Sequence, residues 1–155
     1  MNILREYKAD QQIAEALEYG PIHILLADDH PMMRRALVAF LETQEDLKVV
    51  GQAANGRQAV QLAKDLKPHV VLMDVSMPEM NGFDATVYIS NDFPDTRVIG
   101  LSSHSDSLTE QTMLNAGASE YLSKSDIYDK LVDTIRRVHQ RGAKEGLCHS
   151  LAGNT

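Results

Sequence analysis

Short apolar runs that recur between helix-period segments set the frame for this chain. Ile22–Ala27, Leu47–Ala53, Val70–Met73, Arg97–Leu101 and Ser119–Leu122 each read as a strand. Ile22–Ala27 is interrupted only by His23, and Val70–Met73 not at all. Strands without polar alternation are covered on both faces, which is the condition of a parallel sheet. Between the runs, apolar residues recur at spacings of three and four. Met33, Leu37, Phe40 and Leu41 make one such face, and Ala59, Leu62, Ala63 and Leu66 make another within Asn55–Leu66. Shorter helices are predicted over Phe83–Ser90 and over Leu108–Ala116, where Gly117 is the stop. A last helix starts near Asp126 and turns Ile127, Leu131, Ile135 and Val138 inward. The alternation predicts an α/β domain, with right-handed crossovers laying helices on both faces of the sheet.

In such a sheet the carboxyl ends of the strands open onto one edge, where ligands bind. Asp28-Asp29, Asp74 and Lys124 each lie just past an apolar run, and Ser102 closes the fourth strand. These residues are therefore predicted to share one crevice. An acidic pair after a strand is by itself an ordinary helix N-cap region. The conjunction across four strand ends is what points to a site. Asp74 is ionised at neutral pH and able to attack phosphorus, giving an acyl phosphate. Its charge also repels phosphoryl oxygens, by about 4 kcal/mol at about 4 Å and an effective dielectric of about 20. A cation must offset that. Mg²⁺ fits, since it takes oxygen ligands from one or two carboxylates plus phosphate. Asp28, Asp29 and Asp74 are the candidate ligands, with a backbone carbonyl near Ser76 as another. Lys124 supplies a point charge for phosphoryl oxygens, and the Ser102 hydroxyl a further donor. In the loop from Asp74 to Phe83, Pro78 stiffens the chain and Asn81-Gly82 reads as a positive-φ turn.

Composition narrows the function classes. The chain has 155 residues, 43% hydrophobic and 24% charged, enough for one domain with its own core. No apolar run approaches the roughly 20 residues of a membrane span, and the N-terminus lacks a secretory signal pattern. Cys148 is a single cysteine, which fits a cytoplasmic setting. A formal net charge of −7 argues against nucleic-acid binding by this segment. The histidines show no ligand pair at helical spacing, so zinc is not expected. Arg136, Arg137 and Arg141 read as complements to the C-terminal dipole of the last helix.

The stretches LLADDHPMMRRAL, VVLMDVSMPEMNGFD, VIGLSSHSD and AGASEYLSKSD, in this order and spacing, resemble the receiver domain of bacterial two-component response regulators. The likeness covers about residues 21–141. The DDHP and GASEYLSK wording is most similar to receivers that precede a helix-turn-helix output domain. The resemblance implies a flavodoxin-like (βα)5 doubly wound parallel sheet with strand order 2-1-3-4-5. It implies Asp74 as phosphoacceptor, Asp28 and Asp29 as the acidic Mg²⁺ pair, and Ser102 and Lys124 as the catalytic hydroxyl and lysine. Ser102 with Tyr121 would form the switch pair. A sensor histidine kinase would be the phosphodonor, and the face of the domain's fourth helix, fifth strand and fifth helix would carry the signal to an output domain or protein. Two departures stand out. Ser125, not proline, follows the lysine, and Ser76 and His104 occupy positions that tune aspartyl-phosphate lifetime in the family.

Rival functions are weaker. An aspartyl-nucleophile phosphohydrolase would carry a second Asp two residues after Asp74, where Ser76 stands. A flavin carrier on the same topology would need a neutral phosphate loop where Asp28-Asp29-His30-Pro31 stands. The stretch after Arg141 is too short for a helix-turn-helix domain. Residues 1–20 pattern as an amphipathic helix through Ile3, Tyr7, Ile13 and Leu17, read first as an ordered leader or domain remnant, with a dimerising or docking helix as the alternative. Residues 142–155 read as a flexible tail. Cognate kinase, output and oligomeric state, including a homodimer, are left open.

Overall fold

The computed structural model describes residues 3–103 and 106–152. After a leading helix α1 (Ile3–Tyr19), the order is β1 (Ile22–Ala27), α2 (Pro31–Glu42), β2 (Leu47–Ala53), α3 (Gly56–Leu66), β3 (Val70–Asp74), α4 (Gly82–Asp92), β4 (Arg97–Ser102), α5 (Ser107–Ala116), β5 (Glu120–Ser123) and α6 (Ile127–Ala152). A single 3-10 turn, Lys124–Asp126, joins β5 to α6. The strands form one sheet in the order β2-β1-β3-β4-β5, all parallel. This is the flavodoxin-like arrangement expected.

Period-2 alternation along β1 and β3 splits the core between the faces. Ile24, Leu26, Val70 and Leu72 pack with Leu37 and Leu41 of α2 and with Ile127, Leu131, Ile135 and Val138 of α6. Leu25, Ala27, Val71 and Met73 pack with Ala59 and Ala63 of α3, Ala85 and Ile89 of α4, and Met113 of α5. The helices start where the sequence supplies caps. Asn55 accepts from Gln58 N, Asn81 from Asp84 N and Asp106 from Thr109 N.

Three local readings change. The positive φ in the loop after β3 falls on Glu79 (64°), not on Asn81-Gly82. Asn81 is instead the N-cap of α4. Gly82 is required by close approach, because a Cβ there would stand 2.1 Å from the Asp74 carbonyl oxygen. Second, α6 runs on to Ala152, past residue 141. Gly142 and Gly146 each cost about 1 kcal/mol against Ala, and the intervening Ala143, Lys144 and Glu145 are good helix formers. Third, the arginines of α6 are cross-linkers. Arg136 donates Nε and Nη2 to the two carboxylate oxygens of buried Asp46, both at 2.8 Å. Arg137 and Arg141 both reach Glu120 of β5 at 3.2 Å.

Helix α1 forms as the pattern of residues 1–20 suggests, but Ile3 and Tyr7 are exposed. The side chains of Ile13 and Leu17 lie outside the described residues. Arg5 comes within 3.7 Å of Asp133 on α6, an exposed pair of small energetic weight.

Candidate functional site

The strand ends converge as predicted. Asp28 follows β1, Asp74 is the last residue of β3, Ser102 the last of β4, and Lys124 opens the turn after β5. Asp74 aligns with Leu101, and Ser102 with Ser123, so these residues lie along one rim. Lys124 Nζ is 2.9 Å from Asp28 Oδ2 and 3.4 Å from Asp74 Oδ1, with only 11% of its side chain exposed. Asp28 is held on every side. Its Oδ1 accepts from the His30 backbone N–H at 2.9 Å, its own N–H donates to the Ala53 carbonyl, and its carbonyl accepts from Arg34. Asp29 is half-buried beside it.

Asp74 is positioned by the backbone beneath it. Gly82 N–H donates to the Val75 carbonyl, and Gly56 N–H donates to the Met80 carbonyl, both at 2.9 Å. A Cβ at Gly56 would stand 2.2 Å from that Met80 oxygen. Two glycines thus pin the loop of residues 75–81 against the start of α4 and the start of α3.

Charges at the rim interact strongly. Burial pushes the Asp74 carboxyl up to about 6; Lys124 pulls against this, while Asp28 and Asp29 add to the rise. Burial also pushes Asp28 up, but the His30 N–H and the Lys124 ammonium together outweigh it and hold that carboxyl below its ordinary value. Burial would lower Lys124, yet its two carboxylate partners raise it. Asp28 and Lys124 are therefore a settled pair, whereas Asp74 carries charge that the protein only partly balances.

Two buried oxygens, Asp29 Oδ1 and Asp74 Oδ2, have no hydrogen-bond partner among the described residues. His30 Nδ1 lies 3.0 Å from that Asp29 oxygen but out of line, and its hydrogen bond goes to Asp28 Oδ1 at 3.1 Å. One ligand atom from each of Asp28, Asp29, His30 and Asp74 falls within 4.8 Å of the rest. Unsatisfied buried carboxylate oxygens beside a third carboxylate are the donor set a hard divalent cation takes.

The other expected residues are placed less centrally. Ser76 is exposed, two residues beyond Asp74. Ser102 is buried at the rim. Tyr121 is half-buried two strand positions back, opposite Gly100, with its ring edge 3.2 Å from where a Gly100 Cβ would stand. His104 lies outside the described residues. One rim residue carries no sequence signal as a donor. His30 directly follows the acid pair at a position where a capping residue is the ordinary expectation.

The model of the response regulator receiver domain matches residues 24–136. The chain belongs to this family. Among curated relatives, the Bacillus subtilis (strain 168) transcriptional regulatory protein YhcZ is 45% identical over 116 residues, covering 75% of this chain and 54% of the relative. The transcriptional regulatory protein LiaR of the same strain is 42% identical over 115 residues, covering 74% and 54%. The receiver thus spans about half the length of the curated relatives it matches. Among solved structures, the response regulator domain of Thermotoga maritima CheB has a TM-score of 0.73 at 32% identity, covering 77% of this chain and 97% of that one. A LuxR-family two-component response regulator from Aurantimonas sp. SI85-9A1 has a TM-score of 0.74 at 30% identity, covering 77% and 86%. Receivers are signalling domains, and no helix among the described residues is long and apolar enough to cross a membrane.

Proposed function

We propose that this receiver takes a phosphoryl group from a sensor histidine kinase onto Asp74 and switches an output surface. The observation that carries the reading is Asp74 itself. It is a carboxylate 3% exposed, with one oxygen unpartnered and the other 3.4 Å from Lys124. A buried nucleophile with an unspent oxygen beside a fixed cation is arranged for in-line attack on phosphorus. At pH 7 most of it is ionised. Asp28, Asp29 and Asp74, with the Ser76 backbone carbonyl, would hold Mg²⁺. When bound, that ion supplies the positive charge that the phosphoryl oxygens require. Lys124 neutralises a further oxygen from the opposite side.

Phosphorylation adds negative charge and acceptor oxygens at the rim. The Ser102 hydroxyl moves to meet them, and Tyr121 follows inward over Gly100. The surface of α5, β5 and α6 then presents the change to an output domain or protein. The body of the domain spans residues 21–141, with residues 1–20 as leader. Transcription regulators among its relatives make a DNA-binding output the natural downstream partner, and the setting is cytoplasmic.

Intact mass after treatment with a small-molecule phosphodonor, with and without Mg²⁺, tests this. The parent should gain one phosphate only with the ion present, and Asp74→Asn should gain none. An adduct that persists on the Asn variant would place the acceptor elsewhere. Rapid release of inorganic phosphate from a monoester would favour the phosphohydrolase instead.

A further inference from the structure

The donor set at the acidic rim is not all oxygen. His30 occupies the N-cap of α2 with φ −91° and ψ 106°, and its side chain makes no cap hydrogen bond. Ser, Thr, Asp or Asn at that position would spend its oxygen on the helix. The imidazole instead turns back, with Nδ1 3.1 Å from Asp28 Oδ1 and 3.0 Å from Asp29 Oδ1. The side chain is 68% exposed, so packing does not fix the ring there. What fixes it is the hydrogen bond to Asp28. The neighbouring Asp74 is buried with Oδ2 unpartnered, and so is Asp29 Oδ1. The pocket therefore offers orphaned carboxylate oxygens and a ring nitrogen, with one donor atom of each residue within 4.8 Å of the others.

We propose that His30 is a nitrogen ligand of the rim cation, and that the site therefore prefers a borderline first-row ion such as Mn²⁺ over Mg²⁺. The inference rests on the reading of this rim as a cation site. Mg²⁺ prefers oxygen ligands and gives up its waters reluctantly. Imidazole nitrogen suits transition ions, and affinity of a mixed nitrogen and oxygen site rises from Mn²⁺ toward Ni²⁺. Coordination through Nδ1 takes the tautomer with its proton on Nε2, so the hydrogen bond from this nitrogen to Asp28 is given up and the ring stays neutral. Asp28 does not become an orphan, because it keeps the His30 backbone N–H and the Lys124 ammonium.

The test uses the whole chain with metal alone. Electron spin-echo modulation of bound Mn²⁺ reads a directly coordinated imidazole nitrogen without any variant. The parent should show that coupling, and His30→Ala should lose it, while a control change at the far end of the sheet, His69→Asn, keeps it. Calorimetric titration should give Mn²⁺ about tenfold or more tighter than Mg²⁺ on the parent. His30→Ala should weaken Mn²⁺ by about tenfold or more and Mg²⁺ by less than about twofold. Mn²⁺ bound without nitrogen coupling, or both ions weakened equally by His30→Ala, overturns the ligand role and leaves the receiver reading intact. No binding of either ion to the parent overturns both.

Discussion

Two aspartates are equally buried at opposite ends of the sheet, and the protein treats them in opposite ways. Asp46, just before β2, and Asp74, at the end of β3, are each 3% exposed. Asp46 receives both arms of the Arg136 guanidinium at 2.8 Å, and Gln44 occupies the remaining reach of that arginine. Asp74 gets a share of one lysine that is already closer to Asp28. The same end as Asp46 closes its other polar groups too. Thr96 donates to the Pro68 carbonyl, and His23 N–H donates to His69 Nδ1. One end spends its charges internally and contributes structure. The other keeps acceptor oxygens in reserve, which is a cost to stability that only a ligand offsets.

The sharpest way to break the contrast is Arg136→Ala. It strands Asp46 in the interior and should cost about 3–5 kcal/mol in urea unfolding. A loss below about 1 kcal/mol would mean that the two ends are not different in kind. Next, Gly82→Ala forces a Cβ onto the Asp74 carbonyl. It should cost about 1–3 kcal/mol and also reduce phosphate uptake, because the backbone of Asp74, the proposed acceptor, must shift. Unchanged uptake would show the rim to be more pliable than its geometry suggests. Asp74→Asn should go the other way. Removing one of three crowded carboxylates should raise metal-free stability by about 1 kcal/mol, since Lys124 retains Asp28. A destabilised Asn variant would mean that Asp74 is as settled as Asp46.

The smallest effect is in pH. Burial lowers His69, with His139 and His23 adding to the shift, and burial alone lowers His139. Lowered histidines bind fewer protons folded than unfolded, so stability is complete above about 6.5 and declines as pH falls below it. His69→Asn keeps an acceptor for the His23 N–H without a titrating ring. It should flatten the decline seen by thermal unfolding between about pH 7 and 5. An unaltered slope would remove His69 from that end's role.

The architecture was readable because parallel strands buried on both faces leave unbroken apolar text, and Val70–Met73 could be little else. Convergence of Asp28, Asp74 and Lys124 followed from one topological rule about strand ends. Pairings across the fold leave no such trace. Asp46 and Arg136 are 90 positions apart, and nothing local distinguishes Arg136 from a helix-end cation. Gly82 was visible as a special residue for the wrong reason, since sequence shows that a side chain is missing but not which neighbour fills the space. His30 was hidden by its place, where a ring beside a helix start reads as incidental.

Helix α6 begins one turn after Lys124 and carries both Arg136 and His139, whose ring centroid lies 4.8 Å from that of His69. From Ile127 to His139 is about 18 Å at about 1.5 Å per residue. This first half of α6 is a stiff rod fastened at one end to the chemistry above and, midway along the helix, to the anchorage below. A label attached near the lower fastening would therefore report events at the upper one by tilt alone.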